Sequence, residues 1–125
     1  MMGKSKNTRE TGGIAEQLAR SYLIKKGYRI LSTNWQFSHL ELDIVAQLGE
    51  ELVIVEVKSR HGEGFEHPTD AISSKKMSQV IEAAEAWIHF YNWEKDTRFD
   101  LITVTFTGPD QYDLEHYVEA FNPEA

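Results

Sequence analysis

The chain has 125 residues, 41% hydrophobic and 26% charged, the balance of one ordinary domain with a modest core, and no apolar run approaches the roughly 20 residues that span a bilayer. It has no cysteine, which excludes disulfides, thiolate zinc sites and cysteine nucleophiles, and its opening Met-Met-Gly-Lys-Ser-Lys lacks a signal-peptide core, so a cytoplasmic protein is expected. Thirteen basic against twenty acidic residues give a net charge of −7, which taken alone argues against a polyanionic partner.

Residues 1–11 are polar, basic and unpatterned and read as a flexible tail, leaving 12–125 as a single domain. From Ile14 to Lys26 the apolar residues Ile14, Ala15, Leu18, Ala19, Tyr22 and Leu23 form one side of a helix, and Gly27 follows where a helix end favours glycine. Tyr28 to Trp35 is rich in β-formers and predicts a strand. Leu40, Leu42, Ile44 and Ala46 then alternate with Glu41, Asp43, Val45 and Gln47, the period of a strand with two unlike faces. After Leu48-Gly49-Glu50-Glu51 comes the β-branched run from Leu52 to Lys58, apolar enough to lie inside a sheet. Residues 59–69 contain Gly62, Gly64 and Pro68 and read as a loop.

A long helix is predicted from Ser73 or Ser74 to about Asn92, with Met77, Val80, Ile81, Ala84, Ile88 and Tyr91 on its apolar side. Arg98 to Thr107 reads as a strand and Leu114 to Phe121 as a weaker last one. The order helix, three strands, helix, strand places a crossover between two parallel strands after an antiparallel hairpin, a mixed sheet in an α/β domain.

A two-residue turn at Gly49-Glu50 pairs Leu48 with Glu51 and sets the hairpin register. Asp43 is then expected opposite Glu56 and Glu41 opposite Lys58, all four on one face. Opposed carboxylates have Cβ atoms about 4.5 to 5.5 Å apart and repel unless a cation lies between them. Mg²⁺ or Mn²⁺ suits such a pair, completing its shell with water and substrate phosphate, and Lys58 stands where it can orient a water or steady a phosphate charge. The same alternation also fits a solvated face with Glu41 and Lys58 as an ion pair of little consequence. Against that, Glu56 and Lys58 interrupt the most apolar strand of the chain, where an ionised group without a function is expensive.

Glu16 borders the apolar stripe of the first helix, four residues before Arg20, where it either pairs with Arg20 or reaches toward a metal. Lys75 and Lys76 near a helix start face solvent or meet a phosphate. His61, Glu63, Glu66 and His67 crowd the loop without a standard ligand spacing. Arg98 and Asp100 open a strand and pair with neighbours, and the tryptophans Trp35, Trp87 and Trp93 read as packing rather than base stacking.

The residues Gly12-Gly13-Ile14-Ala15-Glu16-Gln17-Leu18-Ala19, then Gly27-Tyr28-Arg29-Ile30-Leu31 with Asn34-Trp35, Leu40-Glu41-Leu42-Asp43, Val55-Glu56-Val57-Lys58-Ser59-Arg60 and Arg98-Phe99-Asp100 together resemble the YraN family of small bacterial proteins. These are predicted endonucleases similar to archaeal Holliday junction resolvases, within the PD-(D/E)XK or restriction-endonuclease-like superfamily. The resemblance covers roughly residues 10 to 107 and implies a restriction-endonuclease-like core with a mixed central sheet. It implies Asp43 and Glu56 as metal ligands with Glu16 and the Val57 carbonyl, and Lys58 as the water-positioning lysine of the Glu-x-Lys pair. Glu41 matches a motif glutamate suited to pairing with Lys58. Arg60, Lys75 and Lys76 are the candidates to meet nucleic acid.

Two departures stand out: Leu40 and Ala15 occupy positions where the family usually or often has glycine. The function implied is a Mg²⁺- or Mn²⁺-dependent endonuclease acting on DNA, branched or junction DNA above all, as a homodimer by analogy. The alternative is an inactive nucleic-acid-binding or protein-interaction module on the same fold. The charge divides in a way that admits DNA. Residues 1–40 carry seven basic and two acidic groups, net +5, and residues 41–125 six basic and eighteen acidic, net −12.

Overall fold

The computed structural model describes residues 3–63 and 67–123. Helix α1 (Gly3–Lys25) leads into strands β1 (Arg29–Phe37), β2 (Leu40–Leu48) and β3 (Glu51–His61). A 3₁₀ turn (Pro68–Ala71) precedes helix α2 (Ser74–Tyr91), and strands β4 (Thr97–Gly108) and β5 (Gln111–Phe121) follow. The strands form one sheet in the order β1-β2-β3-β4-β5. Only β3 and β4, joined through α2, run parallel, as the crossover requires. The α/β fold with a mixed sheet is the one expected, and no described helix is long and apolar enough to cross a membrane.

Local chemistry sets the element ends. Gly27 (φ 95°) ends α1, with the Tyr28 N–H on the Leu23 carbonyl at 2.9 Å. The Ser73 hydroxyl accepts the Lys76 N–H at 3.1 Å and caps α2, which Asn92 closes in the left-handed region at φ 60°. Gly49 turns the β2–β3 hairpin at φ 61°, and Leu48 faces Glu51 as the two-residue turn demands. Three features differ from expectation. The helical backbone of α1 starts at Gly3, within the stretch read as a tail, well before the apolar stripe begins. Strand β3 continues through Ser59, Arg60 and His61, expected in a loop, because the long β4 pairs with them up to Phe106. The stripe that α2 buries is Val80, Ala83, Ala84 and Trp87, while Tyr91, expected on it, is half-exposed.

Each face of the sheet carries one helix. Ala15, Ala19 and Leu23 of α1 pack with Ile44, Ala46, Val53, Val55, Ile102 and Val104. The α2 stripe packs with Leu42, Val45, Leu52, Ile54, Phe99 and Leu101 on the other side. The departures from the family pattern are absorbed in these layers: Ala15 and Leu40 are both buried.

A second kind of interaction anchors the β4–β5 side. Three residues of β5, Val118 to Ala120, bulge opposite Asp100, since Phe99 pairs with Phe121 and Leu101 with Tyr117. The buried Asp100 carboxylate accepts from Arg98 Nε and Nη2 at 2.9 Å each and from the Glu119 N–H at 3.0 Å, and lies 2.7 Å from His116 Nε2. Tyr22 of α1 meets His116 Nδ1 at 3.1 Å, and Arg98 Nη2 donates to the Tyr28 hydroxyl at 2.7 Å. Burial alone would raise the Asp100 pKa, but the bonds from His116, Arg98 and Glu119 outweigh it and hold the carboxyl below its ordinary value.

Removing a partner from a buried pair costs more than the pair contributes, because the charge left behind is unsatisfied. Asp100→Ala, which leaves His116 and the Glu119 N–H without their acceptor and Arg98 with only Glu51 and Tyr28, is therefore expected to lower unfolding stability by about 3 kcal/mol. Urea denaturation checks this; a loss under about 1 kcal/mol would mean that Glu51 and Tyr28 suffice for Arg98.

Candidate metal centre

The expected register holds along β2–β3 from Leu48–Glu51 to Ile44–Val55 and then stops. At the next level, where Asp43 was expected to face Glu56 across the ladder, the strands part. The Val57 N–H donates instead to Asp43 Oδ2 at 3.0 Å. The neighbouring strand is irregular at the same level: Asn34 stands at φ 48°, between the pairs Thr33–Ile44 and Trp35–Leu42. Asparagine tolerates this conformation because its short side chain bonds locally.

The break switches the faces of β2. Leu40 and Leu42 pack on the α2 side, whereas Ile44 and Ala46 pack on the α1 side. The expectation of one shared face for these four, and for Glu41, Asp43, Glu56 and Lys58, is therefore corrected. Glu41 lies between two residues of the α2 side and points to the α1 side, where Asn34 Nδ2 donates to it at 3.1 Å and to Glu16 at 2.9 Å. No ion pair joins Glu41 to Lys58 among the described residues. Glu56, flanked by Val55 and Val57 of the α1 side, points to the α2 side and meets Lys76. Asp43, at the break itself, feels charges from both sides, Glu16 and Glu41 on one and Lys76 on the other.

Glu56 is 1% exposed, and among the described residues its Oε2 has no hydrogen-bond partner. Its Oε1 lies 3.8 Å from Lys76 Nζ. Burial, then the neighbouring charge of Asp43, raise its pKa to about 8 against the pull of Lys76, the Asp43 backbone and Lys58. Burial likewise raises Asp43 to about 6, opposed by the Val57 N–H and Lys76 and reinforced by Glu16 and Glu41. Two carboxyls thus hold protons at a position where a cation would ionise both.

The remaining predicted residues divide. Lys58 is half-buried on β3, close enough for its charge to act on Glu56. Val57 enters the site through its N–H. Arg60 and Lys75 are exposed, one late on β3 and the other in the first turn of α2. Asn34, the link between Glu16 and Glu41, was missed. Its sequence signals are its place beside Trp35 in the resemblance, which gives it no role, and an asparagine within a strand, the residue type that accepts positive φ.

Among the described residues no group of three or more His, Asp or Glu side chains is arranged to hold an ion. This applies to the loop candidates His61, Glu63 and His67, while Glu66 lies outside the described residues. It also applies to Glu16, which Asn34 engages. Asp43 and Glu56 remain as a pair. The orphaned, fully buried Glu56 oxygen fits a hard divalent ion, which needs only one or two carboxylates when water and substrate phosphate supply the rest.

The family model of the uncharacterised protein family UPF0102 matches residues 15–104. The chain belongs to UPF0102. This is the YraN family of the resemblance. A UPF0102 protein of Parabacteroides distasonis is 38% identical over 112 residues, covering 90% of this chain and 92% of the relative. A UPF0102 protein of Bacteroides thetaiotaomicron is 40% identical over 114 residues, 91% and 93% of the two chains. One from Nitratidesulfovibrio vulgaris is 41% identical over 113 residues, 90% and 84%. Glu16, Asn34, Glu41, Asp43, Glu56, Lys58 and Lys76 all lie inside the span that defines UPF0102.

The raised carboxyls make stability depend on pH in a stated direction. Folded Glu56 keeps its proton to about pH 8, whereas the unfolded chain releases it near 4.5. The metal-free fold therefore loses stability as pH rises through that window, and Asp43 acts in the same direction between its ordinary value and about 6. Glu56→Gln mimics the protonated form. It is expected to match wild type at pH 5 and to exceed it at pH 8 by on the order of 2 to 4 kcal/mol, with a clearly higher Tm. Thermal melts in EDTA at both pH values measure it; a difference that does not grow with pH contradicts the assignment.

Proposed function

We propose that this UPF0102 protein is a Mg²⁺- or Mn²⁺-dependent endonuclease that hydrolyses phosphodiester bonds in DNA, branched or junction DNA above all. It works in the cytoplasm, as a chain without cysteine suits, and as a homodimer by analogy with resolvase-like relatives. The observation that carries the reading is Glu56: a buried carboxylate with an unpartnered oxygen, beside Asp43, where two strands part.

Asp43, Glu56 and the Val57 carbonyl would hold the ion. When bound, the ion withdraws charge from the phosphate and acidifies a water. The Val57 N–H fixes the Asp43 carboxylate, so that its free oxygen keeps one direction. Asn34 ties Glu16 and Glu41 together at the edge of the site and sets the charge behind Asp43. Lys58 orients the attacking water and steadies the negative charge that grows on the phosphate. The water oxygen joins phosphorus and gives up a proton to solvent as the bond to the departing sugar oxygen breaks, and a proton from solvent completes the leaving hydroxyl. Arg60, Lys75 and the basic first third of the chain meet backbone phosphates, which makes binding salt-sensitive despite the net charge of −7.

The second reading is an inactive DNA-binding or protein-interaction module on the same fold. Cleavage of branched, flapped and linear DNA with Mg²⁺ or Mn²⁺ separates the readings. Wild type is expected to cut, and Asp43→Ala and Lys58→Ala to lose roughly 100-fold or more. Equal activity in all three proteins would sink the endonuclease reading, and DNA binding without any turnover would favour the module.

A further inference from the structure

The lysine that meets the buried carboxylate is not the one of the Glu-x-Lys pair. Lys76 belongs to the first turn of α2, and its backbone N–H is held by the Ser73 cap at 3.1 Å. Its ammonium reaches across to the sheet and ends 3.8 Å from Glu56 Oε1. That distance is an ion-pair contact, too long for a firm hydrogen bond, and it leaves Glu56 Oε2 without a partner. The charge of Lys76 acts on both Asp43 and Glu56, whereas that of Lys58 acts on Glu56. The Lys76 side chain keeps 35% exposure while Glu56 keeps 1%, so one end of the contact is free to move and the other is not.

We propose that Lys76 is the resident counter-cation of the Asp43–Glu56 pair, displaced when a divalent ion enters. This rests on the metal reading of that pair given above. A lysine ammonium is a compact point charge on a flexible four-carbon stem, the form of cation that a small hard ion can replace without moving backbone. The Ser73 cap fixes the root of the side chain, so displacement swings only the tip, out of the carboxylate cleft toward solvent, where a phosphate of bound DNA is its available partner. Two cations competing for one carboxylate pair make Lys76 a brake on ion affinity. It keeps the site charge-balanced when the ion is absent and weakens the ion when present. Lys76 is in this sense a positioning residue, acting through Asp43 and Glu56.

Calorimetric titration of Mn²⁺ alone into wild type, Lys76→Met, Lys76→Arg and Lys58→Met tests the proposal. Removing the competing charge is expected to tighten Mn²⁺ binding on the order of tenfold in K76M. K76R, which keeps the charge, stays near wild type, and K58M gains less than K76M. Lys76→Gln serves as the neutral variant should K76M fail to fold. In EDTA at pH 8 the neutral variant melts below wild type, and K76R recovers the loss. Mn²⁺ binding to wild type with equal or weaker binding to the neutral variant overturns the counter-cation role and leaves the metal reading standing. No Mn²⁺ binding to any of the proteins overturns both.

Discussion

The structure turns on one hydrogen bond, from the Val57 N–H to the Asp43 carboxylate. In a regular hairpin that N–H would continue the ladder; here a side chain takes it, and the strands separate one residue beyond Ile44–Val55. Because a strand alternates its faces with period two, a break at a single residue re-addresses every side chain beyond it. Leu40 and Leu42 thereby join the α2 layer, Glu41 turns to α1, and Asp43 is left between the layers beside Glu56. The apolar layers on both sides supply the low dielectric that makes these carboxyls hold protons.

Two buried acid clusters show what burial does with and without partners. Asp100 is as buried as Glu56, yet its pKa falls, because Arg98, His116 and the Glu119 N–H satisfy both of its oxygens. It fastens a bulge of β5 to β4, with Tyr22 of α1 joined through His116. Glu56 has one distant ammonium and an empty oxygen, and its pKa rises. A satisfied network of the first kind holds a fold together. An unsatisfied carboxyl of the second kind costs stability and persists where it serves something else, which in the proposed function is the binding of an ion.

Much of this was legible in the chain. Periodicity and end signals placed both helices, with Gly27, Ser73 and Asn92 where the ends fall. The Gly49-Glu50 turn set the hairpin register, and strand, helix, strand order gave the parallel pair. The face switch was not legible, because alternation is read by assuming an unbroken strand, and Val45 is the one residue from Leu40 to Ala46 that departs from it. Asn34 gave no warning, since positive φ leaves no pattern beyond the residue type. In the sequence Lys76 reads as a solvent-facing lysine suited to a phosphate, and only the packing of α2 over β3 brings it to Glu56. Charge counted over the whole chain misled most: Glu56 is buried and keeps its proton at neutral pH when no divalent ion is bound, and Asp43 is offset by Lys76, so −7 overstates the repulsion that DNA would meet.

The proposed divalent cation would lie between Asp43 and Glu56, where the strands part. The most direct measurement is a crystal structure of the protein grown with Mn²⁺, with data collected for anomalous scattering. The proposed site predicts an anomalous peak between the Asp43 and Glu56 carboxylates, with the Lys76 side chain turned away from Glu56. A structure at saturating Mn²⁺ with no peak there, and with Lys76 still against Glu56, would contradict it.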